Sequence, residues 1–374
     1  MASKKAREAI IKALAQGKNP ETIGPALRDI LGVPLHRALR ISRTETLRAY
    51  RTASHETFKE NEDMIDGWIW SSSGDQNTCA YCRSQDGKFF PLDEPIQSHP
   101  NCRCVQIPRT KTWEELGIKP KKGQDAIPDS RPEINSGDFE FSKLTREQQL
   151  ELLGKERLAA YEAGDVVLLE DFFQETEDPV WGKQVRKPTL EMLLGTDLAG
   201  RYKDGFERNE SLPDVLARVE RNIRDRAKEV STIFDSNGRI LFRRSGTDTA
   251  ISFTKEELEA LKGKVLTHNH PYSGIGEDGG TFSPSDIVLA AKSGLDEIRI
   301  VTRDSVGRTI LYTMQADNWP SLNKLEGVIT MGVNTYSEHD GVGPMSEFEQ
   351  KRTYLEIWKE LSKLLRLRYT RREI

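Results

Sequence analysis

Apolar side chains recur at helical spacing over residues 2–16, and the run stops at Gly17. Asn19-Pro20-Glu21 reads as a helix start, with a capping side chain and a proline where no amide hydrogen bond is needed. A second helix is predicted from there to about Leu31. Residues 34–65 predict one long polar helix with a sparse stripe of Leu35, Leu39, Leu47 and Phe58, solvated except where one face packs on a neighbour. Trp68-Ile69-Trp70 predicts a strand, and Phe89-Phe90 a second. Residues 143–175 predict helices interrupted at Gly154 and Gly164, residues 176–190 are turn-rich, and residues 189–227 predict helix again.

At Glu229 the period changes. Val230, Ile233 and Phe234 lead into the turn Asp235-Ser236-Asn237-Gly238, and Ile240-Leu241-Phe242 complete a hairpin. Thr254 and Glu257 have capping-box spacing for a helix over 255–262, which would leave Glu256 and Glu257 on a solvated helix. Lys264–Thr267 predicts a strand running into His268, and Ser285 or Asp286 opens a helix to about Lys292. Strands are expected over Ile298–Thr302 and Thr309–Thr313. The last 25 residues predict a basic helix with Tyr354, Ile357, Leu361, Leu364 and Leu365 on one face, docked on its own protein or on a partner.

Pro120, Pro128 and Pro132, with Lys121, Lys122, Gly123 and Gly137, mark residues 117–138 as a linker or extended arm. The expected organisation is a module over 1–116, the linker 117–138, a helical segment 139–215, a mixed α/β domain over 220–320 and an amphipathic helix over 345–374. The fold class expected is α+β: a mainly helical N-terminal module with a small Cys/His metal site, and a C-terminal mixed α/β domain.

Composition agrees with this division. A chain of 374 residues suggests about two to three domains. A mean hydropathy of -0.62 is too polar for one large core and fits small domains joined by exposed helices. No run of ~18 apolar residues is present, so no membrane span is expected. Charges interrupt the apolar stretch between Met1 and Leu14, which excludes a signal peptide and places synthesis in a cytoplasm. The net charge of -4 does not point to DNA, although it does not forbid contact.

All four cysteines lie between Cys79 and Cys104, a clustering unlike that of disulfides stapling a secreted fold. Cys79 and Cys82 are separated by two residues, so both can reach one ion from a tight turn. With His99, Cys102 and Cys104 the chain offers five donors for the four places of structural zinc. Cys79, Cys82, His99 and Cys102 make one set, with Cys104 spare or replacing His99. Unmetalated thiols in a loop-rich fold, or a redox pair at Cys79 and Cys82, are the alternatives, the latter without a thioredoxin-like strand–helix context.

Thr267-His268-Asn269-His270-Pro271 ends a predicted strand, and Ser283-Pro284-Ser285-Asp286 opens a predicted helix. Two imidazoles at i and i+2 on a strand point the same way and can share one ion, with a third ligand from Asp286. Three protein ligands leave a place for water, the arrangement of catalytic zinc, which lowers the pKa of that water toward ~7. Such a site needs a base, for which Glu229 at the start of the hairpin is the candidate, and Ser283 is a candidate hydrogen-bond donor to an oxyanion. Against this stands the reading of two surface histidines in a Gly-rich loop.

Arg43-Thr44-Glu45-Thr46 on the long helix, the string around Gly74-Asp75, the Cys79/Cys82 pair, Asp86-Gly87-Lys88 and the His99-Pro100-Asn101-Cys102-Arg103-Cys104 end together resemble the phage Mu F-type head morphogenesis family of minor capsid proteins. Leu153-Gly154, Arg157, Tyr161, Gly164 and Thr189–Leu194 resemble the family's segment beyond that core, so the likeness covers about residues 20–195. It implies a tailed-phage protein in few copies, acting in head assembly or early DNA delivery with portal, capsid or scaffold proteins as partners. The implied location is the host cytoplasm during assembly, then the virion, at the portal or in the capsid interior.

The histidine motif, over about residues 225–315, resembles the JAB/JAMM metalloproteases in their RadC-like form. That resemblance implies a zinc hydrolase of peptide or isopeptide bonds, with zinc on His268, His270 and Asp286, Glu229 activating water and Ser283 steadying the oxyanion. The eleven residues Tyr272 to Phe282, including Gly274, Gly276, Gly279 and Gly280, exceed the family's usual gap and read as a flexible lid, a substrate-selecting insertion or a source of inactivity. The motifs leave three readings: a minor head protein carrying a peptidase domain acting on a protein substrate, a structural head protein with a relic metal site, and a toxin or effector carried on a Mu F-type module.

Overall fold

The computed structural model describes residues 2–96, 98–119, 127, 129, 131, 133–178, 182–203, 210–272, 279–336 and 347–374. They form two compact units, Met1–Gly137 with Phe172–Pro188, and Asp138–Asp171 with Thr189–Ile374. No helix among these residues is long and apolar enough to cross a membrane. Much of the expected 117–138 linker and the centre of the glycine-rich loop, residues 273–278, lie outside the described residues.

The first unit begins with three helices, α1 (Ala2–Ala15), α2 (Pro20–Leu31) and α3 (Leu35–Glu60). Asn19 caps α2, its Oδ1 accepting from the Glu21 amide at 2.9 Å, and Gly32 ends it in the left-handed conformation. Ala6, Ile10, Ala13, Ile23, Leu27 and Ala38 form the helical core. A Cβ on Gly24 would stand 2.4 Å from Leu39 Cδ2, so α2 and α3 meet through the missing side chain. The buried face of α3 differs from the expected leucine stripe. It carries Ala38, Ser42, Thr46, Arg51, His55 and Phe58, while Leu35 is exposed. Most of that face is polar because it covers a loop rather than an apolar surface.

After α3 come β1 (Ile65–Ser71), α4 (Ala80–Gln85), β2 (Phe89–Pro91) and β3 (Val105–Thr110), the strands forming an antiparallel sheet in the order β2-β1-β3. Trp68 and Trp70, two apart on one face of β1, are both fully buried, and Phe90 stacks on Trp68 with ring centroids 4.5 Å apart. The turn-rich stretch beyond Thr176 proves to be strand: β4 (Gln174–Asp178) pairs antiparallel with β5 (Gly182–Arg186). Its residues are nearly all polar, so no apolar alternation marks it in the sequence.

The second unit opens with α5 (Gly137–Ser142), α6 (Arg146–Leu153), α7 (Lys155–Ala163), α8 (Leu190–Leu194), α9 (Thr196–Gly200) and α10 (Leu212–Ile223), so the expected helical stretch over 189–227 holds three short helices among the described residues. A six-stranded sheet comes next, built from β6 (Val230–Phe234), β7 (Ile240–Ser245), β8 (Val265–Asn269), β9 (Glu297–Arg303), β10 (Thr309–Gln315) and β11 (Arg368–Glu373) in the order β11-β10-β9-β8-β6-β7. Only the β8–β9 pair is parallel, and α12 (Pro284–Ser293) makes that crossover.

Strand alternation sorts the side chains into two cores. Val230, Phe234, Val265, Val301 and Leu311 pack under α10 through Val215, Leu216, Val219 and Ile223. Ile233, Leu266, Ile298, Ile300, Tyr312 and Met314 face α12, α13 (Leu322–Tyr336) and α14 (Glu347–Leu365) through Ile287, Ala290, Leu325, Ile357, Trp358 and Leu361. On the α10 side of the sheet lies a buried ion pair, Arg299 Nε to Glu220 Oε1 at 2.6 Å, which Thr267 Oγ1 joins at 3.1 Å.

The C-terminal stretch corrects the expectation of helix to the chain end. The helix ends at Leu365, and Arg368–Glu373 lies antiparallel to β10 as the edge strand. An arginine-rich strand with one solvated face has no apolar alternation to announce it. The short helix α11 (Lys255–Glu259) also differs, since Glu257 is fully buried and pairs with Arg244 at 2.9 Å. The pairing commits the Glu257 carboxylate to the half-buried Arg244, and Glu257 is not among the residues lining the histidine cavity.

Candidate metal centres

In the first unit, Cys79 is the N-cap of α4, its Sγ accepting from the Cys82 amide at 3.5 Å. One helical turn therefore brings the two thiols to the same side. His99 Nε2 stands 3.2 Å from Cys79 Sγ and 3.1 Å from Cys82 Sγ, and Cys102 Sγ is 3.6 Å from Cys82 Sγ. Cys104 joins Cys82 and Cys102 in a second group of three sulfurs, so Cys82 is common to both groups. All four cysteines are free of disulfides. Tetrahedral zinc at about 2.3 Å from sulfur and 2.0 Å from nitrogen separates its donors by roughly 3.5 Å, close to the spacings here.

The electrostatics suit a cation. The Cys82 thiol, hydrogen-bonded to Cys79, pulls the Cys79 pKa down to about 4, burial opposing and His99 assisting. The Cys102 and Cys79 sulfurs push His99 up to about 10, and Cys102 pushes Cys104 up to about 12. Negative charge accumulates on sulfurs packed too closely for all to ionise without a counter-ion.

The clasp around this cluster comes from α3. Arg51, buried on its polar face, donates from Nε and Nη2 to the Cys104 carbonyl at 2.9 and 2.6 Å, from Nη2 to the Cys102 carbonyl at 3.0 Å and from Nη1 to Ser98 Oγ at 2.8 Å. Thr44 Oγ1 accepts from the Asn101 amide at 2.9 Å, where Asn101 takes a left-handed turn at φ 62°. Arg103 makes a two-pronged ion pair with Asp75 at 2.5 and 2.6 Å. Sequence reasoning singled out Thr44 but missed Arg51. The signal for it was an arginine seven residues beyond Thr44, two turns along the same face.

In the second unit, β8 carries His268 on the face that bears Leu266, and His270 comes two residues later. The two Nε2 atoms are 3.2 Å apart. Asp286 Oδ1 is 3.3 Å from His268 Nε2, and its Oδ2 is 3.6 Å from His270 Nε2. Ligands about 2.0–2.1 Å from tetrahedral zinc lie roughly 3.3 Å apart, so these three donors fit one ion. The helix start explains Asp286. Ser283 caps α12 and Asp286 is its capping-box partner, taking the Ser283 amide on Oδ2 at 2.8 Å.

The Ser283 hydroxyl donates to the same Oδ2 at 2.7 Å. It therefore orients Asp286 rather than standing free. Burial by itself lowers the His268 pKa, but the neighbouring Asp286 charge and its hydrogen bond outweigh it and the net shift is upward. For Asp286 burial acts upward, and the charge of His268 outweighs it, holding the carboxyl well below its usual range.

Glu229 stands just before β6, its backbone paired with Thr247 and Gly246 across the hairpin. Its Oε1 is 3.8 Å from His270 Nε2, beside the donors but not among them. Burial raises its pKa to about 7, with Asp286 and Asp248 adding and His268 opposing. Asn269, between the histidines, is fully buried. Its Oδ1 accepts from the Val230 amide at 2.7 Å, and its Nδ2 donates to the Arg226 and Lys228 carbonyls at 3.2 and 3.1 Å. Sequence reasoning missed this residue, whose only signal was an amide alternating with the two imidazoles.

Glu229, His268, His270, Ser283 and Asp286 all line one cavity of about 1040 Å³. At its rim a Cβ on Gly279 would lie 2.0 Å from Thr302 Oγ1, so this glycine serves close packing of the loop end against β9.

No curated protein and no solved structure matches the chain. The region 153–194 and the histidine region both lie outside the family match, which spans α1 to β3 and includes all five candidate Cys/His donors of the first unit. Over residues 4–107 the chain is similar to Phage Mu protein F like protein.

Proposed function

We propose that this is a phage minor head protein of Mu F type, acting in head assembly or DNA delivery, whose second unit is a zinc-dependent peptidase or isopeptidase. The family match over residues 4–107 supports the head-protein part and implies phage portal and capsid or scaffold proteins as partners. The Cys/His cluster would hold a structural zinc within that part. The hydrolase part rests on one observation. Three donors with mutual approaches of 3.2–3.6 Å converge in a cavity beside a buried carboxylate whose pKa is raised to about 7.

His268, His270 and Asp286 would hold the ion, which when bound supplies Lewis acidity and makes water acidic near neutral pH. Glu229 would take a proton at Oε1 and return it to a leaving amine, since its pKa near 7 makes both directions accessible. Ser283 holds Asp286 in place through the 2.7 Å hydrogen bond.

A purely structural site is the second reading. It is favoured by that same hydrogen bond, which occupies the hydroxyl an oxyanion would need. The test is Glu229→Gln in infected cells. A processed head or scaffold protein should accumulate uncleaved while the variant keeps its metal. Equal processing by variant and parent removes the peptidase reading.

A further inference from the structure

His270 lies one residue past the end of β8, where its amide makes a last bond to the Val301 carbonyl at 3.1 Å. Its further support comes from the neighbouring strand. β9 runs parallel to β8, and Ile298, Ile300 and Thr302 alternate onto one face of it, the face that bears Leu266 on β8. Ile298 and Ile300 fill the core there. Thr302, fully buried, brings a hydroxyl instead.

That hydroxyl has two backbone partners. It donates to the His270 carbonyl at 2.8 Å and accepts from the Gly279 amide at 3.0 Å. The Arg303 carbonyl, at 3.4 Å, is the poorer acceptor for its one proton, and takes the Gly279 amide as well at 3.2 Å. The approach is close. A Cβ on Gly279 would stand 2.0 Å from Thr302 Oγ1 and 2.6 Å from the His270 carbonyl oxygen. The chain leaving the second imidazole and the chain returning toward α12 therefore meet at one side chain. Beyond Gly279 the return is fastened twice more. Thr281 Oγ1 and the Tyr369 hydroxyl are 3.1 Å apart, and Trp358 Nε1 donates to the Phe282 carbonyl at 2.7 Å. Ser283 and the donor Asp286 follow directly.

We propose that Thr302 is a positioning residue of the histidine site. Its hydroxyl clamps His270 to the segment that delivers Asp286, so that donors from β8 and α12 meet at one point. This deepens the metal reading and rests on it for the identity of the donors. Hydrogen bonds that orient metal ligands from behind set about 10–100-fold of metal affinity.

The test is the zinc affinity of the full chain, read by competition with a chromophoric chelator. The equivalent that belongs to the histidines is the one absent when His268 and His270 are both substituted. Thr302→Val keeps the branched shape and removes the hydroxyl. Thr302→Ser keeps the hydroxyl and removes a methyl group. Gly279→Ala opens the clamp from the other side and leaves Thr302 in place. Amide hydrogen exchange over Gly279–Phe282, measured in chelator, follows the clamp without metal.

Thr302→Val and Gly279→Ala should each weaken zinc binding at the histidines about 10–100-fold, while Thr302→Ser stays within about threefold of the parent. Exchange over Gly279–Phe282 should speed in Thr302→Val and not in Thr302→Ser. Equal losses of affinity in the valine and serine variants would mean that the residue acts by filling space, and overturn the assignment. Parent-like affinity or unchanged exchange in Thr302→Val overturns it as well, and parent-like affinity in Gly279→Ala does so if the valine variant fails to fold. A parent without zinc at the histidines removes the metal reading and the positioning role together. Loss of the peptidase reading through Glu229→Gln leaves the assignment standing, because zinc affinity does not depend on turnover.

Discussion

Asn269 accepts the Val230 amide on its Oδ1 at 2.7 Å, and so ties the strand of the two histidines to the segment that carries Glu229. The same side chain donates to the Arg226 and Lys228 carbonyls, so three backbone groups leading into β6 depend on one buried amide. Asn269→Ala should therefore retain zinc, because the ligands keep their own strand. Cleavage should fall about a hundredfold, because Glu229 loses its placement. Leaving these backbone groups unpaired should also cost about 1–3 kcal/mol of stability. Metal content, kcat and thermal unfolding measured on one preparation check this, and full activity in the variant would refute it.

Two donor sets, one in each unit, predict two ions per chain. Substituting His268 and His270 together should remove one equivalent of zinc, and substituting Cys79 and Cys82 together should remove the other. Elemental analysis of the purified proteins decides this. A parent-like zinc content in the histidine variant would rule out the second site.

Glu229 makes a pH prediction for the metal-free chain. Its folded pKa is raised from 4.5 to about 7, so the fold favours the protonated acid. That stabilisation is complete below 4.5 and is lost as pH rises through 7, with a ceiling of about 3 kcal/mol. Glu229→Gln should leave metal-free stability nearly unchanged at pH 4 and raise it at pH 8. Thermal unfolding in chelator at the two values measures the difference. A variant no more stable than the parent at pH 8 would show that the carboxylate is not desolvated.

Arg51 should control the cysteine cluster although it touches no sulfur in the hydrogen-bond network described. It holds two carbonyls and a hydroxyl with a planar fork that lysine cannot reproduce. Arg51→Lys should destabilise the first unit by about 2–4 kcal/mol and speed zinc release to a chelator several-fold. Chelator kinetics and melting temperature report the two effects. Unchanged release would mean that the cysteine loop holds its own shape.

Much of the local architecture can be read along the chain because its causes are local. A capping side chain and the amide it serves are two or three residues apart, so Asn19 and Thr254 announce their helices. Two histidines at i and i+2 share a strand face by backbone geometry alone. The Cys79–Cys82 spacing implies a single turn in the same way. What these motifs meet in space is another matter. Asp286 reaches His268 because the β8–α12–β9 crossover folds back over the sheet, and Glu229 reaches His270 because β6 pairs with β8. Arg51 and Asn269 look like ordinary polar residues until the loops they hold are in place.

The polar strands β5 and β11 carry almost no apolar alternation in their sequences, so nothing local marks them as strand. The residues by themselves determined the starts of α2 and α11, the turn at Asn237-Gly238 and the pairing of Cys79 with Cys82 and of His268 with His270 as candidate donors, since each depends on geometry within a few bonds. Tertiary structure alone decided which arginine clasps the cysteines and where the chain end lies, and it set the distances at which Asp286 and Glu229 meet the histidines. Those choices depend on contacts between distant segments, and no short-range pattern encodes them.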